Sequence, residues 1–306
     1  MFPVEVSTKI RVPVIDRSHV VRVLMRSLVL LIVTLSGGVT VAAEPLSADA
    51  LALRILDGEG LYTVTSGMKP ISEGYWQSRF PATKETTDEV ELTRRTLESL
   101  PLGPDLEAGV YVFVKAFDGK RTASAFVAHK PSLRALIERR KDVFESIGVR
   151  VSSTPQQVLE KIDRGPGSTR WRAFGLVFGD PEYAVEFFVT AGEDETRTGQ
   201  FVTRDFLNIP TFSGERGRFV YAVPKGHAER DEDRALKAKA EPTLTKYKAW
   251  RQVYVERVKL GGAELLRNWV SPPVPPSRPT DPCAPLPVAC TEYRLWPTRP
   301  LRSGCR

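Results

Sequence analysis

The sequence predicts an α+β fold, in which a small antiparallel or mixed sheet of about four strands in two hairpins packs with several helices on one side. Two pairs of strand-like segments surround glycine-containing turns, and about 70 residues of helical pattern separate the pairs. A doubly wound parallel sheet would instead alternate single strands with single helices. No internal repeat occurs, so residues 44–270 are expected to form a single domain.

The strands are predicted from alternating apolar residues and from turn residues. Residues 111–117 and 122–128 flank Asp118-Gly119, a dipeptide suited to the positive φ angles of a two-residue hairpin turn. Residues 200–209 and 218–223 are expected to form the second pair, with glycines in their connection.

Helices are predicted from capping residues and apolar spacing. The segment Thr154-Pro155-Gln156-Gln157 has the residues of a capping box, and the apolar stripe that follows it stops at Gly165. A second helix is expected to begin at Pro131 and to end at Gly148. Three further helices are predicted at 47–56 with Ser47 as cap, at 86–100 with a Thr86/Glu89 box, and at 242–260.

The N-terminal region is predicted to be an export signal. Seventeen uncharged residues from Ser27 to Ala43 follow Arg22 and Arg26, and small residues end the run before Glu44. This order is typical of a cleaved signal peptide, with Ala43 as the last residue removed and Met25 as an alternative start. Residues 1–43 are therefore interpreted as a signal, and the protein as periplasmic or secreted. An uncleaved membrane anchor is the alternative.

The charge of the chain argues against nucleic acid as a partner. The formal charge is +7, but residues 44–270 hold 34 basic and 33 acidic residues, so the excess lies outside the expected domain. Proteins that bind phosphate backbones usually cluster positive charge on one folded face. Residues 271–306 hold ten of the 24 prolines and all three cysteines, which predicts a disordered tail. A recognition peptide and a reading-frame artefact are the other interpretations of this tail.

The densest candidate site lies in residues 168–188, which are predicted to form two helices that meet at a tight corner. Asp180 is expected to cap the second helix, and Glu182 and Glu186 lie one turn apart on it. With Arg170 or Arg172, these carboxylates would form a charged ligand site over an apolar floor, and Gly179 would let a ligand approach the backbone. A solvated polar stripe neutralised by arginine is the structural alternative.

A second candidate is the segment Glu73-Gly74-Tyr75-Trp76, placed on a loop or strand start. An acid beside two amphipathic rings suits contact with carbohydrate or peptide, so Tyr75 and Trp76 are candidate ligand-binding residues. Aromatic residues beside glycine also serve as packing anchors, which is the competing interpretation.

Histidine is scarce in the expected domain, which limits the chemistry available. His129 lies where a strand leads into the helix at Pro131, so a helix N-terminus would favour its neutral form and a role as base. His227 and Asp231 have the i, i+4 spacing of a metal pair, but their neighbours form a solvated charge run, and no metal or cofactor is predicted.

Three functions remain open after the known short motifs are checked. The chain lacks a nucleophile elbow, a phosphate-binding loop and a dinucleotide fingerprint. The first hypothesis is a non-catalytic protein that binds a small ligand or envelope protein. The second is a hydrolase that uses Glu73, Asp180 or Glu186, with His129 as a further catalytic candidate. The third is a membrane-surface protein that binds lipid through Lys246, Lys248, Trp250 and Arg251.

Overall fold

The computed structural model describes residues 46–271, apart from the side chains of residues 215–218. The predicted signal of residues 1–43 and the predicted tail after Ser271 lie outside the described residues. Within them the protein is α+β, as the sequence predicts, with small antiparallel sheets of three and two strands.

The three-stranded sheet contains β1 (Ile71–Pro81), β2 (Leu106–Val112) and β3 (Lys120–His129), with β3 in the centre. Both neighbours of β3 run antiparallel to it. The connection of β2 to β3 turns at Asp118 and Gly119, whose φ angles are 49° and 66°. The predicted two-residue turn is therefore confirmed.

The sequence indicates only a loop or strand start at residues 73–76 and not the full strand β1, because the alternation of the strand is interrupted. The pairing of β1 with β3 shifts between Glu73 and Gln77, so residues 74–76 bulge out of the ladder. Gly74 adopts a φ of +83° there, a conformation that glycine tolerates best.

The two-stranded sheet pairs β4 (Arg204–Thr211) with β5 (Gly214–Pro224). The strand predicted at 200–209 starts later than expected. The backbone N–H of Val202 donates to Glu195 Oε1 at 3.0 Å, outside the pairing of β4 with β5, which begins at Arg204. The predicted second hairpin is otherwise present.

Ten α-helices are described, with the following bounds: α1 Ala48–Asp57, α2 Gly60–Ser66, α3 Asp88–Glu98, α4 Lys130–Arg139, α5 Lys141–Phe144, α6 Pro155–Arg164, α7 Gly167–Val177, α8 Glu182–Thr198, α9 Asp231–Trp250 and α10 Gly262–Val270. A 3₁₀ turn, Glu145–Ile147, follows α5, and a π-helix, Arg251–Arg257, follows α9. Across residues 46–271 no helix is both long enough and apolar enough to cross a membrane.

Several predicted helix starts are confirmed and others are corrected. The capping box of α6 forms in both directions, and Ser47 caps α1 by accepting from Ala50 N–H at 3.2 Å. Helix α3 is capped by Thr87, because Thr86 donates to Glu91 instead. The single helix predicted from Pro131 to Gly148 breaks at Arg140, whose ψ angle of 44° is not helical.

Helices cover both faces of the three-stranded sheet rather than one side. Alternate residues of β3 face opposite cores: Val127 belongs to a core with α1, α2, α3 and α10, and Phe126 belongs to a core with α4, α6 and α7. Two-sided burial explains why residues 123–128 are all buried.

Candidate functional site

A cleft of about 290 Å³ lies between three elements and is the most suitable ligand site described. One wall is the loop before β1, the second is α4, and the third is the corner between α7 and α8. We call it the Asp180 cleft. Its lining residues are Gly67, Met68, Pro70, Ser132, Ala135, Leu136, Arg139, Leu176, Gly179, Asp180, Glu182 and Lys239.

The corner between α7 and α8 is shaped by glycine. Gly179 has a φ of +79°, and a Cβ at this position would lie 3.1 Å from Met68 O. Gly175 allows α7 to pack closely on α8, since a Cβ there would lie 2.8 Å from a Val185 methyl carbon. The corner therefore rests against the backbone of the loop before β1, and the two walls of the cleft meet at this point.

Asp180 does not cap α8, contrary to the prediction. Pro181 occupies the cap position, and no side chain caps this helix. The carboxyl group of Asp180 lies in the cleft, where it is half-buried and has no hydrogen-bond partner among the described side chains. Its pKa is raised to about 7, mainly by burial; the charge of Lys69 lowers the pKa and the smaller effect of Glu59 raises it.

A buried ion pair lies beneath the corner. Lys69 is 2% exposed, and its Nζ lies 3.2 Å from Glu59 Oε2 and 3.8 Å from the centroid of the Phe219 ring. The pair holds a positive and a negative charge near Asp180 at once, and the lysine has the larger effect on the pKa of its carboxyl group.

Glu73 belongs to the same charged neighbourhood but not to the lining of the cleft. It accepts a hydrogen bond of 2.5 Å from Tyr111 Oη, and burial is the main cause that raises its pKa to about 7. The charges of Lys69 and Glu59 act on Glu73 as they do on Asp180. Tyr75 and Trp76 are 6% and 7% exposed and pack in the core, where they act as anchors of the β1 bulge.

His129 contacts the cleft through Ser132. The two side chains lie 2.7 Å apart, from Nδ1 to Oγ, and the backbone N–H of Ser132 donates to the same Nδ1 at 3.2 Å. His129 thus caps α4, and burial lowers its pKa. Gly67 makes room for this pair, because a Cβ on Gly67 would lie 2.1 Å from Ser132 Oγ.

The predicted charged site forms only in part, as a pair of Arg172 with Glu186. Arg172 binds Glu186 through two hydrogen bonds of 2.7 Å on the outside of α7 and α8. Arg170 binds the buried Asp163 at 2.6 Å. Glu182 instead pairs with Arg140 at 3.2 Å, so the four predicted partners do not form one site.

His227 does not pair with Asp231. Its Nε2 donates to Asp233 Oδ2 at 2.9 Å, and Asp231 is an exposed partner of Arg234. Tyr183 and Tyr221 donate to the other oxygen of Asp233, which is fully buried. Among the described residues no cluster of three or more His, Cys, Asp or Glu side chains is arranged to hold a metal ion.

Two residues of the membrane-surface hypothesis pack against the protein, and the other two are exposed lysines. Trp250 packs on Trp269 with ring centroids 5.2 Å apart, and Arg251 binds Asp57 at 3.0 Å. Lys246 and Lys248 are both exposed, and Lys246 Nζ lies 4.9 Å from the centroid of the Trp269 ring. This surface offers cations without an exposed aromatic anchor beside them.

A larger open groove of about 570 Å³ runs along α4 and α5. Charged side chains at the surface form much of its wall, and two of them, Lys141 and Glu138, pair at 2.6 Å. Because its charges already have partners or face water, it is a weaker candidate than the Asp180 cleft.

Sequence reasoning identified Gly179, Asp180 and Glu182 but missed Lys69, Glu59 and Ser132. Lys69 stands between Met68 and Pro70 with no local sign of burial, and its partners come from other elements. The Ser132–His129 spacing of three residues is the signal that would have indicated a contact at the start of α4.

Comparisons with known proteins add no assignment. No protein-family model matches the chain, and the searches of curated proteins and of solved structures also found no match.

Proposed function

We propose that this protein is exported and binds a small ligand in the Asp180 cleft without catalysing a reaction. The observation that carries the proposal is the carboxyl group of Asp180, which lies in a concave site and has no hydrogen-bond partner among the described residues.

The carboxyl group of Asp180 is available to a ligand. Asp180 is half-buried and open to water, and no described side chain donates a hydrogen bond to its oxygens. Ligand sites place a few polar groups of this kind beside apolar surface. The lining of the cleft is more polar than apolar, and Met68, Pro70, Leu136 and Leu176 supply its apolar part.

The placement of the other carboxylates favours binding over hydrolysis. A two-carboxylate hydrolase needs both acids to face one substrate. Asp180 and Glu182 both line the cleft, but Glu182 is paired with Arg140 at 3.2 Å. Of the other hydrolase candidates, Glu73 is bound to Tyr111 outside that lining, and Glu186 is held by Arg172 on the outer surface.

Thermal unfolding of the full chain tests the binding proposal. The panel holds amino acids, amines, sugars, nucleotides and short peptides, and a ligand at 100 times its Kd adds about 2.7 kcal/mol of stability. The variant Ala135→Trp fills the cleft, and Ala235→Trp places the same ring at an exposed position of α9. We expect a ligand-induced rise in Tm in the wild type and in Ala235→Trp that Ala135→Trp lacks. Equal shifts in both variants would place the ligand elsewhere.

Export is tested separately, since it depends on residues 1–43 and not on the cleft. We expect the mature protein recovered from the periplasm or medium to begin at Glu44. Retention of residues 1–43 in a membrane fraction would instead support the uncleaved anchor.

A further inference from the structure

The chemistry of the Asp180 cleft points to a class of ligand, an inference that rests on the proposed function. We propose that the cleft binds a small organic cation, an ammonium group on a short apolar body, with Asp180 as its counter-ion.

The remaining charges near the cleft are already compensated or exposed to water. Glu182 pairs with Arg140 at 3.2 Å and lies 3.9 Å from Arg139. Lys69 is paired with Glu59 beneath the corner. Lys239 is exposed at the rim, where water and salt screen its charge. Asp180 is therefore the group whose charge a ligand can most usefully neutralise.

A cation satisfies this group better than an anion or a neutral donor. An ammonium group would donate to the carboxylate and offset the loss of hydration that burial imposes on its charged form. An anion would meet the negative charge of Asp180 itself, whereas the nearby charges of Lys69 and Glu59 act in opposite directions. The cleft lining is more polar than apolar, and its apolar part, which includes Met68, Leu136 and Leu176, would contact a short alkyl body.

Binding should depend on pH, because the ligand requires the ionised carboxylate. With a pKa of about 7, Asp180 is mostly protonated at pH 6 and mostly ionised at pH 8, so affinity should rise about tenfold. The other charged or titratable groups that face it are Lys69, Glu59, Tyr221, Arg139, Glu182, Lys239 and His129. Burial lowers the pKa of His129, which keeps that ring largely neutral above pH 6.5.

The test uses n-butylammonium chloride, with sodium butyrate and n-butanol as shape-matched probes. Each is titrated into the ¹⁵N-labelled full chain at pH 6 and pH 8, and amide shifts of residues 67–69, 132–139, 176–180 and 182 are followed. We expect n-butylammonium to shift these signals in a saturable way, with about tenfold higher affinity at pH 8.

Two variants make the result specific. Asp180→Asn keeps the size of the side chain and removes its charge, so its affinity should fall by at least about tenfold. Glu193→Gln removes one exposed charge from α8, outside the cleft lining, and should bind as the wild type does. Butyrate or butanol binding as well as butylammonium, or full affinity in Asp180→Asn, would overturn the inference while the cleft remained a ligand site. The absence of a response to all three probes overturns the inference. The thermal-unfolding panel then tests independently whether the cleft binds another kind of ligand.

Discussion

Gly179 lies directly against Lys69, so that a Cβ on Gly179 would be 3.2 Å from both Cα and Cγ of the lysine. This contact joins the cleft wall that carries Asp180 to the buried ion pair that influences its carboxyl group. Packing and electrostatics at the cleft therefore depend on the same few atoms.

Gly179→Ala should destabilise the protein and disturb the cleft. The residue has a φ of +79°, which costs a side chain about 1–2 kcal/mol, and contact with Met68 O adds to this cost. Gly199→Ala is the matched control, because its φ is +69° and no atom lies within 4 Å of its Cβ position. Urea unfolding should give a larger loss in the free energy of unfolding for Gly179→Ala than for Gly199→Ala. Equal losses would mean that the backbone at the corner relaxes without an added cost.

Lys69→Met should be strongly destabilising. It leaves Glu59 as an unpaired, mostly buried charge, and breaking such a pair from one side typically costs about 3–5 kcal/mol. The double variant Lys69→Met/Glu59→Gln should recover much of that loss. Lys225→Met removes the cation of an exposed pair with Asp205 and should cost less than about 1 kcal/mol. Denaturant midpoints measured at pH 8 separate these cases. A double variant no more stable than Lys69→Met would show that the unpaired charge of Glu59 is not the cause of the loss.

Glu73 and Asp180 should make the protein less stable as the pH rises. Their folded pKa values of about 7 exceed their ordinary values of 4.5 and 3.8, so the folded state holds protons that the unfolded chain has released. Their contribution is complete below about pH 4 and is lost as the pH rises to about 7. Glu73→Gln/Asp180→Asn should lose less stability than the wild type between pH 5 and pH 8 in urea unfolding. Parallel curves would show that both acids titrate normally.

The sequence predicts features that adjacent residues determine, and it misses those that folding assembles. The capping box at Thr154 and the turn at Asp118 depend on neighbours within four residues. The burial of Lys69 depends on Glu59, ten residues earlier, and on Phe219 in β5. The sequence wrongly predicts Asp180 as the cap of α8, because an acidic residue directly before a proline has the same local pattern as a helix cap.

Asp233→Asn should destabilise the protein by about 2–3 kcal/mol, because its oxygens are fully used. One accepts from Tyr183 and Tyr221, and the other accepts from His227 and from the backbone N–H of Arg230. An amide NH₂ in either place would face donors. Although burial opposes ionisation, hydrogen bonds from Tyr183, His227 and Tyr221 hold the pKa of Asp233 well below its usual range.

The low pKa of Asp233 fixes the sign of its pH dependence. Its contribution to stability is present above about pH 4, the ordinary value for aspartate, and is lost as the pH falls further. Asp231→Asn is the control, since Asp231 is 94% exposed and should change stability by less than about 0.5 kcal/mol. In acid unfolding followed by tryptophan fluorescence, the wild type and Asp231→Asn should unfold at the same pH and Asp233→Asn at a higher pH. An unchanged midpoint in Asp233→Asn would mean that this network does not stabilise the contact between α8, β5 and α9.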